Sequence, residues 1–169
     1  MGGPNARRLA LLGILTAVLL GSQVALAALP NVELVSLLVI LYALLLGRQV
    51  FWILYAFVLL EGCLYGFGLW WVSYLYVWAA LAGAVLLLRR TEAPALFWAI
   101  VSGFFGLSFG ALCALPYLAA GGAAAAVSYW LAGLGFDLIH CGGNFFLCLL
   151  LFRPLYRLLD RLLRRYGAP

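Results

Sequence analysis

The sequence has no lysine and very little charge of either sign. Its 169 residues include ten arginines, five acidic residues and one histidine, so charged residues make up 9% of the chain. A soluble domain carries about 25% charged and roughly 45–50% apolar residues, whereas this chain is 68% hydrophobic with a mean hydropathy of +1.16. This composition cannot cover a water-facing surface, and it excludes disordered, collagen-like, coiled-coil and disulfide-rich secreted proteins.

Several chemical motifs are also missing. The four cysteines form no CxxC pair and no metal-ligand spacing, which predicts no metal site and apolar packing roles for the thiols. There is no HExxH and no Walker motif. A G-x-S-x-G match centred on Ser108 lies within an apolar helical run, whereas the hydrolase motif needs a strand-to-helix turn. We therefore expect a protein that is not an enzyme, has no catalytic residues and needs no cofactor.

Continuous apolar runs predict an all-α integral membrane protein that forms one membrane domain over 1–169. Barrel strands would alternate apolar and polar residues, and each helical crossing needs about 20 apolar residues. Pro30-Asn31, Pro116 and Arg153-Pro154 are expected to end helices, and Thr91 to cap the fifth. The six expected helices cover about 9–29, 32–46, 50–65, 69–88, 93–115 and 136–152, with a short outer helix at 123–132 and an amphipathic basic tail at 154–166.

Two segments allow a second interpretation. Arg7-Arg8 and a run that ends in Ala25-Leu26-Ala27 are typical of a cleavable signal peptide, although the run is long enough to span and we favour a retained helix. The tail has leucines at helical spacing opposite its arginines, which fits a helix on the inner membrane surface. A plain positively charged anchor fits this tail equally well.

The arginines predict the orientation. All ten lie in the N-terminal segment, at Arg48, at Arg89-Arg90 or in the tail, and the other three connections have none. By the positive-inside rule, both termini are cytoplasmic. In a membrane protein this basic charge sets orientation, so a pI near 9.3 does not indicate a nucleic-acid partner.

Five polar residues inside the apolar runs are candidates for a binding site, because charges within a membrane are costly. These residues are Glu33, Glu61, Asp137, His140 and Asn144, and the expected topology places them in the outer half of the bilayer. Asp137, His140 and Asn144 share one helix face, which favours a polar stripe along a cavity. Alternatively, Asp137 caps the helix and the other two bond neighbouring helices.

Aromatic residues are expected at the same depth in the membrane as these polar residues. An interfacial aromatic belt accounts for part of them, but Tyr74 and Trp78 share a face and run inward from the surface. An aromatic wall with a few polar groups suits a flat heterocyclic ligand, and carboxylates beside it favour a ring that bears an amine or a cation.

Small residues form a ridge on the first helix: Ala10, Gly13, Ala17 and Gly21. Such ridges let helices approach closely, either within the bundle or against another membrane protein. Gly103, Gly106 and Gly110 on the fifth helix have similar spacing, and there we favour packing within the bundle.

Four segments carry a resemblance to a known family. Leu29 to Ser36, Tyr74 to Trp78, Gly135 to Asn144 and Arg153 to Tyr156, on six short helices, resemble the substrate-binding S component of energy-coupling factor (ECF) vitamin transporters. The resemblance covers nearly the whole chain.

The resemblance implies a subunit of a bacterial or archaeal cytoplasmic membrane that binds a vitamin-like substrate near the outer face. It also implies docking, through the first-helix ridge, on a transmembrane coupling subunit driven by two cytoplasmic ATPases. This ridge departs from the family's usual Ala-xxx-Ala pattern, because it reads Gly13-xxx-Ala17-xxx-Gly21. The alternative is a structural scaffold that resembles rod-shape-determining membrane protein D, although that family's early proline-aspartate signature is absent and Pro30-Asn31 is the nearest match.

Overall fold

The structure is a computed structural model that describes residues 6–29, 32–89 and 93–165. Within these ranges the chain is almost entirely helical and has no strand. A single 3₁₀ turn, Gly47–Gln49, joins the second and third helices. The helices are α1 (Ala6–Leu26), α2 (Val35–Leu46), α3 (Val50–Tyr65), α4 (Leu69–Leu88), α5 (Ala95–Cys113) and α6 (Leu115–Arg165).

Five helical stretches are long and apolar enough to cross a membrane. One of them, Val35–Tyr65, joins α2, the 3₁₀ turn and α3, and the others are α1, α4, α5 and α6. Their outward faces carry large apolar side chains, for example Leu87 at 83% exposed and Trp52 at 74%. Contiguous exposed apolar surface of this kind marks contact with lipid or a membrane partner.

α2 is the central helix of the bundle. Ten of its 12 residues are buried, and a helix that is apolar all round belongs in a core. The Glu33 carboxylate precedes α2 and accepts a hydrogen bond from the Ser36 backbone N–H (2.8 Å), so it satisfies one of the free donors at the helix start. Gly47 ends α2 at a φ of +58°, a left-handed conformation that favours glycine.

The helices meet at two distinct ends. At one end, which we call the arginine end, Arg8 Nε donates to Gln49 Oε1 (2.8 Å) and Gly47 lies against the Arg89 guanidinium. The opposite end, which we call the cavity end, has Glu33 before α2 and Glu61 near the end of α3. α2 and α3 therefore run antiparallel.

α5 and α6 pack closely because α5 presents glycines to its neighbour. A Cβ on Gly106 would lie 2.8 Å from the His140 carbonyl oxygen, and one on Gly103 would lie 3.1 Å from the Phe145 Cβ. Only a bare Cα leaves room for α6 at this distance, so these glycines pack the bundle, as the sequence predicts.

The expected end of the fifth helix at Pro116 is close to the observed one, because α5 ends at Cys113, and the chain reverses direction at Gly122. Gly122 has a φ of +76°, and Tyr117 stacks on Tyr129 across the turn with ring centroids 4.1 Å apart. Pro116 instead lies in the first turn of α6, where its missing N–H costs nothing.

Beyond Gly122 the structure has one unbroken helix over 123–165. The expected outer helix at 123–132, the sixth span at 136–152 and the tail at 154–166 are consecutive parts of it, and Pro154 does not end it. Proline is tolerated in membrane helices because neighbouring groups satisfy the freed backbone.

The other bounds agree more closely with the sequence. α3 and α4 begin and end where the sequence predicts the third and fourth helices, whereas α1 begins and ends three residues earlier and α2 begins three residues later. α5 starts two residues later than expected and stops two residues sooner. The predicted break at Pro30-Asn31 and the predicted cap at Thr91 lie outside the described residues, as does Tyr166 in the tail.

Candidate functional site

A cavity of about 540 Å³ opens at the cavity end. Ligand sites in proteins typically occupy 300–1,000 Å³, so its size suits a small molecule. The end of α1, the start of α2 and faces of α4, α5 and α6 contribute to its wall. Its polar or aromatic lining residues are Gln23, Glu33, Tyr74, Trp78, Phe109, Tyr129, Phe136, Asp137 and His140.

One side of the cavity is a hydrogen-bonded chain between α2 and α6. His140 Nε2 lies 3.2 Å from Glu33 Oε1, and the Ser36 hydroxyl donates to the same carboxylate. Behind Ser36, Asn144 Nδ2 donates to the hydroxyl oxygen at 3.1 Å. Both Glu33 oxygens are therefore engaged, which fixes the carboxylate and the imidazole in place.

Asp137 lies on α6, one turn before His140, and is 4% exposed. Its Oδ1 accepts a hydrogen bond from the Gly110 backbone N–H (3.0 Å). Its buried Oδ2 has no hydrogen-bond partner among the described residues. A buried carboxylate oxygen without a donor is costly, and Asp137 is one of the residues that line the cavity.

Part of the cavity lining is aromatic. The Trp78 ring lies 5.5 Å from Tyr74 and 5.6 Å from Phe109, measured between centroids, and Phe109 lies 5.0 Å from the His140 ring. Trp78 is 2% exposed, and its Nε1–H has no partner among the described residues. The lining therefore combines aromatic side chains with a buried indole N–H that has no partner among the described residues.

Glu61 lies in a shallower recess next to the cavity. Gln23, Ala27 and Tyr74 border both spaces. One Glu61 carboxylate oxygen is buried without a partner among the described residues. The recess is therefore separated from the main cavity by two polar side chains.

The structure brings most of the sequence-predicted binding residues together. Glu33, Tyr74, Trp78, Asp137 and His140 line the cavity. Glu61 lies in the adjoining recess, and Asn144 does not reach the wall because it is buried behind Ser36.

Sequence reasoning missed Gln23, Phe109 and Ser36. Gln23 carries a signal that could have identified it, because it is an amide in an otherwise apolar helix. Phe109 has no such signal among 11 phenylalanines, and its position depends on the packing of α5 against α6.

The α1 ridge is exposed in the structure. Ala10, Gly13, Ala17 and Gly21 are all exposed, and a Cβ added at Gly13 or Gly21 would meet nothing within 4 Å. These glycines therefore do not serve close packing inside the described bundle, which was one of the two interpretations of the ridge.

The G-x-S-x-G match around Ser108 does not lie at a strand-to-helix turn. Ser108 lies in the middle of α5, and its hydroxyl donates to the Phe104 carbonyl at 2.9 Å. Among residues 6–29, 32–89 and 93–165, no group of three or more His, Cys, Asp or Glu side chains is arranged to hold a metal ion.

No family model, curated protein or solved structure matches this chain. The interpretation of the site therefore depends on the geometry described above.

Proposed function

We propose that this chain is the substrate-binding S component of an ECF-type importer. It captures a vitamin-like heterocycle at the outer face of the membrane and delivers it with a transmembrane coupling subunit and two cytoplasmic ATPases. The observation that carries this proposal is the cavity, which aromatic side chains line together with a buried carboxylate that has one oxygen without a donor among the described residues.

The chemistry of the wall restricts the ligand. Asp137 Oδ2 needs a donor or a cation, and Trp78 Nε1–H needs an acceptor. Two lining carboxylates, Glu33 and Asp137, face one imidazole, and no arginine lines the cavity among the described residues. A flat ring that carries both an acceptor and an amine or positive charge suits these groups and the aromatic lining.

The proposed topology has six crossings with both termini in the cytoplasm. It is supported by the antiparallel course of α2 and α3 and by the arginines at the end opposite the cavity. α2 is about 18 Å long at 1.5 Å per residue, shorter than the roughly 30 Å hydrocarbon layer. Because it is surrounded by other helices, it does not itself have to match the lipid thickness.

A structural scaffold is the second candidate, since the exposed α1 ridge is a surface on which another membrane helix could pack. A scaffold has no use for an aromatic cavity that is also lined by Glu33, Asp137 and His140. This difference favours the binding subunit.

The test is a thermal-shift screen of the purified protein against vitamins and related heterocycles, without nucleotide. We expect stabilisation by at least one compound with a cationic or amine-bearing ring, followed by saturable binding in calorimetry. If no member of a broad heterocycle set shifts the melting temperature, the scaffold becomes the better interpretation.

A further inference from the structure

A second, larger concave surface lies at the arginine end. It is a groove of about 940 Å³ between α1 and the last three turns of α6, which we call the inner groove. Its lining is apolar apart from Arg7, Arg165 and the Tyr42 hydroxyl. The apolar lining residues are Ala10, Leu11, Ile14, Leu15, Val18, Leu38, Leu155, Leu158, Leu159, Leu162 and Leu163.

The Tyr42 hydroxyl does not make the floor of the inner groove polar. It points to the Leu15 carbonyl oxygen at 3.4 Å, and the side chain is 1% exposed. Side chains on the two rims remain accessible, for example Ile14 on α1 and Leu158 on α6, which is 45% exposed. An apolar chain could therefore enter the groove from the side without displacing a polar contact.

Two arginines close the groove at one end. Arg7 lies in the first turn of α1 and Arg165 is the last residue of α6, and both line the groove. No acidic residue lines it among the described residues. The groove is thus basic at its mouth and hydrocarbon-like along its length.

The length of the groove matches one leaflet. From Arg7 to Val18, α1 rises about 16 Å at 1.5 Å per residue, which is close to half of the roughly 30 Å hydrocarbon thickness. A phosphate at the arginines would therefore lie at headgroup depth, while an acyl chain along Leu11 and Leu158 would end near the bilayer centre.

We propose that the inner groove binds an anionic phospholipid. Arg7 and Arg165 contact the headgroup phosphate, and an acyl chain fills the leucine-lined part between α1 and α6. Basic sites between membrane helices on the cytoplasmic side select anionic headgroups in this way. The inference requires insertion in a membrane but no ligand in the cavity, so it can fail or hold independently of the proposed transport function.

The first experiment compares headgroups. The full-length protein, delipidated in a mild detergent, is titrated with phosphatidylglycerol or phosphatidylcholine of identical acyl chains, and native mass spectrometry counts the bound lipids. We expect one phosphatidylglycerol to bind well before any phosphatidylcholine does. Replacing both arginines (Arg7→Gln with Arg165→Gln) should weaken this binding by about tenfold or more, because each arginine near an anionic surface contributes measurably.

The matched control is Arg161→Gln. Arg161 lies one turn before Arg165 on the same helix, but it is exposed, does not line the groove and donates to the Arg157 carbonyl at 3.1 Å. This variant loses one positive charge and should bind phosphatidylglycerol like the parent protein. A loss per removed charge in Arg161→Gln equal to that in the double variant would overturn the site, since general electrostatic attraction would then explain the preference.

The second experiment fills the groove. Leu158→Trp occupies the acyl path, whereas Leu150→Trp places the same ring on an exposed position of α6 outside the groove. We expect Leu158→Trp to abolish the single tight phosphatidylglycerol and Leu150→Trp to retain it. Unchanged binding in Leu158→Trp would overturn the proposal. So would a dimer mass in the parent protein that disappears in Leu158→Trp, because the groove would then be occupied by a second copy of the chain.

Discussion

Asp137 is a buried carboxylate with two different oxygens. Oδ1 holds α5 through the Gly110 N–H, whereas Oδ2 has no donor among the described residues. If a ligand supplies that donor, Asp137→Asn keeps the Gly110 contact but replaces the free acceptor with a donor. We expect ligand affinity to fall by about 1–3 kcal/mol, or roughly one to two decades in dissociation constant. Calorimetry with the ligand found in the thermal-shift screen measures this loss.

The control for this prediction is Asp160→Asn. Asp160 pairs with Arg164 at 2.9 Å on the surface, and exposed pairs of this kind contribute little. The control should bind ligand like the parent protein, and both variants should remain monodisperse. Normal affinity in a stable Asp137→Asn protein would remove Asp137 from the binding site.

Asn144 leads to a different prediction because the structure places it behind the wall. Its amide supports Ser36, which in turn holds Glu33. Asn144→Leu removes that donor from a buried hydroxyl, and we expect a loss of thermal stability in the ligand-free protein as well as weaker binding. Melting curves with and without ligand separate the two effects. Loss of affinity at unchanged ligand-free stability would instead indicate direct contact with the ligand.

Sequence reasoning could identify the polar residues of the site. It could not tell which of them line the cavity and which lie behind its wall. A charged residue in an apolar run is conspicuous, which is why Glu33, Asp137 and His140 are predicted from sequence alone. Whether a side chain reaches the cavity depends on which neighbour it meets first. Asn144 meets Ser36, and Phe109 reaches the cavity only because glycines let α5 approach α6.

At the scale of the helices, the close contact between α5 and α6 depends on glycines, which have no side chain. A Cβ on Gly106 would meet backbone atoms of His140 and Cys141 at 2.8–3.0 Å, and a backbone cannot move aside like a flexible side chain. We expect Gly106→Ala to destabilise the protein by about 1–3 kcal/mol. It should also disturb the cavity, because His140 lines it.

Gly83→Ala is the matched control for Gly106→Ala. A Cβ at this position of α4 would meet nothing within 4 Å. Alanine is the better helix former, so this variant should be neutral or more stable by up to about 1 kcal/mol. Thermal denaturation in the same detergent compares both variants, and equal melting temperatures would contradict the close α5–α6 packing.

The difference between α4 and α6 explains which helix bounds could be predicted. α4 ends where arginines end its apolar run, and such a change in polarity can be located from sequence. In α6 the expected breaks depend on Gly133, Gly135 and Pro154, and the helix continues through all three. Glycine and proline break helices mainly where water can take over the backbone hydrogen bonds. Neighbouring helices and the absence of water reverse that preference in a membrane.

The α1 ridge is exposed, so a substitution there tests docking without changing the bundle. We expect Ala17→Trp to retain ligand binding but to abolish uptake in vesicles that contain the coupling subunit and ATPases, because the indole prevents close helix approach. Leu87→Trp on the exposed face of α4 is the control and should transport normally. Transport by Ala17→Trp at the parent rate would exclude the ridge as the docking surface.

At the scale of the whole molecule, charge and cavities are divided between the two ends. The acidic side chains Glu33, Glu61 and Asp137 gather at the cavity end, whereas the arginine end holds the inner groove. The antiparallel α2–α3 pair connects the two ends through the middle of the bundle. In the proposed topology, the positive-inside rule places the arginine end in the cytoplasm and the cavity on the outside.

Labelling with an impermeant thiol reagent tests this orientation. Gly68 precedes α4 at the cavity end and Ala124 follows the Gly122 turn, whereas Arg48 lies in the turn at the arginine end. In a variant that lacks the native cysteines, we expect cells to be labelled at Gly68→Cys and Ala124→Cys but not at Arg48→Cys, which should react only after the membrane is permeabilised. If Arg48→Cys and Gly68→Cys were labelled equally from outside, α2 and α3 would not cross the membrane separately. The count of six crossings would then be wrong, because the cavity and the arginines would lie on the same side.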